Sequence, residues 1–360
     1  MVDGGSTRLA PSTPVARSWL RSRESGLSPD DEPHYDELLP ASRHRHERQS
    51  DRQLWKYTRE EIEHLWGAFG GNDWIIMCIN PQGDVVHARH SPYLQESVLK
   101  PVASGRTLRE EYVGTTAPSC VIHDQRSIVV NGSQHYLKAF SRVFCLAVPL
   151  FDAHGQTAGV LDITGVGERD AVLLHEHFRM AALSVQQRFF FDLRYCHLLS
   201  VQYDPRLLDS PLAGIIAVEE DGHIRAVSQQ ARRLLSLPVM GPLPRMDLRS
   251  LFPGARAPQH RRFLQPSSRA QRILVADDVH VWVQHMRLPV TTRGPVSRSL
   301  KVSAAEKEDR APTLPVNASL KENTLSAIQY ALHENNGNVA ATARQLGISR
   351  TTLYSKLRQT

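Results

Sequence analysis

A strand, a tight turn and a returning strand recur four times along this chain, and that grammar commits most of it to antiparallel sheets. Trp74 to Ile79 turns at Pro81, Gln82 and Gly83 into Val85 to Ala88. Val143 to Phe151 turns at His154 and Gly155 into Ala158 to Thr164. Gly214 to Val218 turns at Asp221 and Gly222 into Ile224 to Val227, and Ile273 to Ala276 turns at Asp277 and Asp278 into a run with Val279, Val281 and Val283 alternating. Each turn carries glycine or aspartate where the backbone must reverse. Two antiparallel sheets, each with helices, are expected, which makes the class α+β.

The helices follow from a different period. Thr58 is expected to cap a helix whose apolar residues Ile62, Leu65, Trp66 and Phe69 share a face and which stops at Gly70 and Gly71. Ala171 to Leu199 reads as one long helix with Leu174, Phe178, Ala181, Val185, Phe189 and Leu193 on a continuous stripe, packing on its own sheet or on a second subunit. Five segments result. Residues 1–53 are a loosely docked, partly helical leader rich in Pro, Ser and Arg; 54–199 and 210–288 are sheet domains; 289–317 has linker composition; 318–360 is helical. At 360 residues the chain has length for several cores.

The last segment is the most informative. Leu325, Ile328 and Leu332 fall at helical spacing before Asn335, Asn336 and Gly337; Asn338 opens an Ala-rich helix that Gly347 ends; Ser349 then caps a third helix with Leu353 and Leu357 inward. Small alanines for close packing, a glycine at the turn and a free second helix make a helix-turn-helix. The run Asn338 to Leu357 resembles the DNA-binding domain of the Fis family, as found at the end of bacterial enhancer-binding regulators. That resemblance implies that Arg350 and Thr352 contact base edges or nearby phosphates and that Lys356 and Arg358 hold the backbone, with Ser349, Thr351 and Ser355 completing the DNA-facing set. Ser355 departs from the family, which often has Arg or Lys there. Fis-type domains pair through their first helix, so a homodimer reading two half-sites of double-stranded DNA is implied.

Residues 54 to about 195 resemble the GAF-type sensor of the acetoin-catabolism regulator (AcoR) family. The carrying residues are Gly114-Thr-Thr-Ala117, His135-Tyr136, Ala147-Val-Pro149, Gly159-Val-Leu-Asp162, Gly165, and His175 with His177; Ser18-Trp19 and Gly26-Leu-Ser-Pro29 of the leader fit the same pattern. The resemblance implies a small-molecule effector in a pocket on one face of the sheet. Tyr112, Thr115, Thr116, Cys120, His123, His135, Tyr136 and Phe144 are the expected lining. Thr116 stands where the family usually has Asn, and Gln134 where it has an acidic residue, so the family's ligand does not transfer directly. Ala213 to Val218, Asp221-Gly222 and a helix through Ala231 to Leu237 resemble a PAS-like module.

Several functions are disfavoured. No stretch approaches the roughly 20 apolar residues of a membrane span, and Met1 to Ala10 lacks the apolar core of a secretion signal. Cys78, Cys120, Cys145 and Cys196 are too widely spaced for zinc knuckles, and His175 and His177, two apart on a helix, diverge. A reducing cytoplasm, no metal, no cofactor and no catalytic residue are expected. Relatives of this type carry an ATPase between sensor and DNA-binding domain, but no Gly-x-x-x-x-Gly-Lys-[Ser/Thr] loop occurs here and the linker is too short to hold one; Gly67-Ala-Phe69 reads as a helix end. The expected protein is therefore a sequence-specific regulator acting without ATP hydrolysis, with RNA polymerase as a further partner and a net charge of +6 that suits an anionic one. The alternative is a redox or sulfoxide-reducing sensor enzyme using Cys120.

Overall fold

The computed structural model describes residues 13–35, 48–95, 98–167, 169–239, 241, 243–266, 269–276 and 279–290. The first sheet contains β1 (Trp74–Ile79), β2 (Val85–His90), β3 (Ile128–Asn131), β4 (Val143–Phe151) and β5 (Thr157–Val166), in the order β2-β1-β5-β4-β3. All its pairings are antiparallel. Every residue of β1 is buried, because the period of two sends Ile76 and Cys78 into one apolar layer and Ile75, Met77 and Ile79 into another.

The first layer is covered by two helices of 21 residues, α2 (Gln49–Phe69) and α5 (Ala171–Phe191). Helix α2 begins well before the expected cap. Thr58 lies inside it, fully buried, and its hydroxyl donates to Leu54 O at 2.8 Å, the back-bonding open to a mid-helix threonine. The helix ends at Phe69 with Gly70 as its C-cap, so Gly67 to Phe69 is a helix terminus.

Helix α5 is capped by Asp170, whose carboxylate accepts from the N–H groups of Val172 and Leu173. Its stripe of Leu174, Phe178, Ala181, Val185 and Phe189 enters the same core as Leu146 and Ile163 of the first sheet and Leu198, Ile215 and Ala217 of the second. The helix is thus shared between two sheets. It stops at Phe191 rather than Leu199, and the Arg287 guanidinium donates to the carbonyls of Phe191 and Leu193 at that end. His197–Gln202 is instead a strand, β6, buried along its whole length.

Strand β6 is central in the second sheet, of order β8-β7-β6-β10-β9, with β7 (Gly214–Val218), β8 (Ile224–Val227), β9 (Gln271–Ala276) and β10 (Val279–Arg287). Short helices α6 (Gln229–Leu234), α7 (Leu248–Leu251) and α8 (Ala257–Phe263) close its far face over Leu199, Val201, Phe252, Phe263 and Val281.

The second layer of the first sheet carries α3 (Glu110–Val113), α4 (Ala117–Asp124) and a loop through Leu99, Val102 and Leu108. Gly114, between the two helices, has φ +68°, a left-handed backbone that lets α3 end and α4 begin within three residues. Over them lies α1 (Pro14–Glu24). Residues 13–35 of the leader are not loosely docked: Ser18 and Ser22 are completely buried.

Candidate functional site

Under α3, α4 and the leader, against β1, β4 and β5, is a cavity of about 30 Å3. Its walls are mostly apolar, and Tyr35, Thr116, His135, Cys145 and Thr164 supply the polar atoms. None of the lining residues is a lysine, an arginine or a carboxylate. Free space of this size holds about one or two waters, whereas ligand pockets commonly measure about 300–1,000 Å3. The free space as it stands is too small for a metabolite.

Its floor is a connected set of buried polar groups. His135 lies with Nδ1 3.0 Å from Gly132 O and Nε2 3.3 Å from Cys145 Sγ. Thr164 Oγ1 lies 3.2 Å from Cys145 Sγ and 2.7 Å from Asp162 Oδ2. Burial pushes the His135 imidazole down to about 4, so one ring nitrogen donates and the other accepts at neutral pH. Burial also lifts the Asp162 carboxyl to about 8, against the opposing effect of Thr164, and raises the Cys145 thiol with help from the nearby Asp162. Burial thus works against the charged forms of His135, Asp162 and Cys145 alike. The Thr164 hydroxyl donates to Asp162 Oδ2, and His135 sits between the Gly132 carbonyl at Nδ1 and the Cys145 sulfur at Nε2. Asp162 Oδ1 is left with no hydrogen-bond partner among the described residues.

Of the eight expected lining residues, Thr116 and His135 reach the cavity. Thr116 also caps α4, its side chain and that of Ser119 exchanging hydrogen bonds with each other's backbone. Phe144 faces the other way, its ring 6.0 Å from that of Trp74 in the core beneath α5. The pleat explains this: Val143 and Cys145 point to the cavity layer, so the residue between them cannot. His123 is on the surface with Nε2 3.6 Å from Glu110. The remaining four meet the leader. Thr115 Oγ1 is 2.9 Å from Ser18 Oγ, Cys120 Sγ lies 4.0 Å from Pro14 O, the Tyr136 hydroxyl donates to Leu27 O at 2.7 Å, and Tyr112 O accepts from His34 N at 3.1 Å.

Sequence reasoning misses Tyr35, Cys145, Thr164 and Asp162. No alternation in the wholly apolar run of β4 marks Cys145 as the cavity-facing residue, while an aspartate inside the apolar run of β5 is the signal for a buried polar group. Nothing local marks Tyr35, which arrives from 100 residues away in sequence. Cys120 is fully buried and its thiol is pushed up to about 11, chiefly by burial. His177 Nδ1 is 2.9 Å from Leu173 O, and its ring packs on Phe69. Among the described residues no group of three or more His, Cys, Asp or Glu is arranged to hold a metal ion, and no helix is long and apolar enough to cross a membrane. Ser349, Arg350, Thr351, Thr352, Ser355, Lys356 and Arg358 lie outside the described residues.

Comparison with known proteins adds to this geometry. The GAF domain family matches residues 58–187, and the family described as bacterial regulatory protein, Fis family, matches residues 326–359. The acetoin catabolism regulatory protein of Cupriavidus necator is 24% identical over 238 residues, covering 63% of this chain and 35% of that protein. The acetoin dehydrogenase operon transcriptional activator AcoR of Bacillus subtilis is 27% identical over 155 residues, covering 42% of this chain and 25% of that protein. The chain thus spans about a third or less of the length of these curated relatives. A chain in the crystal structure of the E. coli DhaR(N)-DhaL complex aligns with 78% of this chain and 100% of its own length, at a TM-score of 0.42 and 14% identity. The chain thus carries a GAF domain and a C-terminal Fis-type helix-turn-helix, and it is similar in sequence to these two proteins named as acetoin regulators.

Proposed function

We propose that the chain is a sequence-specific DNA-binding transcriptional regulator whose GAF domain senses a small uncharged molecule and whose Fis-type segment reads DNA without ATP hydrolysis. The observation that carries this reading is the presence of both family matches in one chain. The first sheet with α2 to α5 is the sensor, the second sheet from β6 to β10 is a PAS-like relay, and residues 291–317 are the linker to a reader at 318–360, behind the leader. Arg350 and Thr352 reach base edges, Lys356 and Arg358 neutralise phosphates, and two copies bind paired half-sites. The protein works in the cytoplasm by occupying its site, either blocking or recruiting RNA polymerase.

Support for an uncharged ligand comes from the cavity, whose mostly apolar walls include no lysine, arginine or carboxylate. The same chemistry speaks against an enzyme built on Cys120. A thiol held up at about 11 by burial is almost wholly protonated at neutral pH, and the thiolate is the nucleophile.

Selection of fragmented genomic DNA by the purified full chain tests the reading. Enrichment of a discrete set of fragments sharing a symmetric element supports it, and uniform recovery of all fragments contradicts it. A thermal-shift screen of metabolites tests the sensor: a neutral compound that raises the melting temperature of the full chain supports it, and charged compounds alone doing so would contradict an uncharged ligand.

A further inference from the structure

The leader is positioned as no inert tail would be. Four of the residues expected to line the pocket are engaged by it, at Thr115, Cys120, Tyr136 and Tyr112. Ser18 and Ser22 form a small buried hydroxyl face around Thr115, with Ser18 also donating to Glu110. Arg21 grips Glu110 through Nε at 2.5 Å and Nη2 at 3.1 Å, and Arg17 pairs with Asp124 at the end of α4. Trp19 donates from Nε1 to Gln134 O at 2.8 Å and sets its ring edge-on to Tyr136, 5.2 Å away. Further along, Lys138 N donates to Pro29 O at 2.8 Å. Then Tyr35 enters the cavity wall, its hydroxyl donating to Val98 O at 2.7 Å.

This attachment differs in kind from the rest of the domain. The strands and α5 are held by continuous apolar layers, while the leader is held by hydroxyls, ion pairs and backbone carbonyls, and only Val15, Leu27 and Tyr35 join the apolar layer, each partly buried. A segment with few apolar anchors opens at lower cost than the core it covers. With the leader in place, the free volume is about 30 Å3, too little for a metabolite. Tyr35 is the leader's contribution to the lining, on the same wall-and-floor set as His135 and Cys145.

We propose that residues 13–35 are a strap closed over the ligand pocket and that Tyr35 is its plug, so an effector enters by displacing the Tyr35 ring and this residue sets the size of molecule admitted. The proposal rests on the reading that the GAF domain binds a small molecule. It makes the strap part of the sensor: the bound and empty states differ in whether α1 stays on α3 and α4.

The four cysteines supply the test. Cys145 lies in the cavity lining with Tyr35, and Cys120 lies beneath Pro14. Cys78 and Cys196 are buried in the other core, away from the strap, and report any global unfolding. The full chain is treated with methyl methanethiosulfonate, a small uncharged reagent, and modification of each cysteine is followed by peptide mass spectrometry. Tyr35→Ala is expected to raise the labelling rate of Cys145 by about ten-fold or more, and Arg21→Ala to raise Cys120 and Cys145 together, with Cys78 and Cys196 unchanged in both variants. Unchanged Cys145 labelling in Tyr35→Ala would overturn the plug. Parallel rises at all four cysteines would overturn the strap by showing that the segment is integral to the fold. Neither effector nor DNA enters the measurement, so its failure is distinguishable from failure of the sensor reading.

Discussion

Asp162 is wholly buried, and burial alone lifts its carboxyl to about 8. The sign of its contribution to stability follows. Between about pH 4 and pH 8 the folded chain keeps a proton that the unfolded chain releases. Stability from this group is therefore full below about pH 4 and is lost progressively as pH rises toward the ionisation of the folded carboxyl near pH 8. Asp162→Asn, neutral at every pH, should gain on the wild type as pH rises through that window. Thermal melts of both proteins across the window measure the gap, and a gap independent of pH would mean that the carboxyl is ionised throughout. Phe144 makes a second claim at this scale. Buried in the α5 core rather than in the pocket, its truncation to alanine should cost about 3–5 kcal/mol in denaturant unfolding. A loss below about 1 kcal/mol would place the ring outside a packed core.

At the scale of elements, α5 is the member on which both sheets depend. Its N-terminus is fixed by two hydrogen bonds to Asp170, and its C-terminal carbonyls by Arg287 of β10. Asp170→Ala should lower stability by about 0.5–2 kcal/mol, read by chemical denaturation, because two helix N–H groups lose their acceptor. The strands and the α5 stripe are legible in the sequence because β1 and β4 are short continuous apolar runs bounded by turns and Leu174 through Phe189 recur in steps of three and four. What fails is what depends on partners distant in sequence. The true start of α2 is hidden because Thr58 has the chemistry of a cap and spends it inside the helix on Leu54. The apolar run of β6 continues the helical stripe on paper and becomes a strand because its neighbours β7 and β10 are already extended. The leader looks like tail because serines and arginines carry no apolar period, yet its docking is made of those side chains. Of the pocket, Thr116 and His135 are legible from the resemblance, while Cys145, Thr164 and Tyr35 emerge only when strand register and the leader's path are known.

For the whole molecule, the proposed arrangement is a sensor tied through a linker to a DNA reader and acting without ATP hydrolysis. No phosphate-cradling loop of the Gly-x-x-x-x-Gly-Lys-[Ser/Thr] type exists in the sequence, so the purified chain should release no phosphate from ATP above a buffer blank, with or without DNA. Turnover above that blank would require a second mechanism. Reading DNA is the part of the account on which everything else rests. The most direct measurement is a titration of one genomically selected fragment with wild-type chain and with Arg350→Ala over a range of salt. The account predicts that wild-type affinity falls linearly in log–log form as salt rises, that Arg350→Ala loses about 1–3 kcal/mol on the selected fragment, and that it loses far less on unrelated DNA. Equal binding of the two proteins to selected and unrelated DNA at every salt concentration would contradict it.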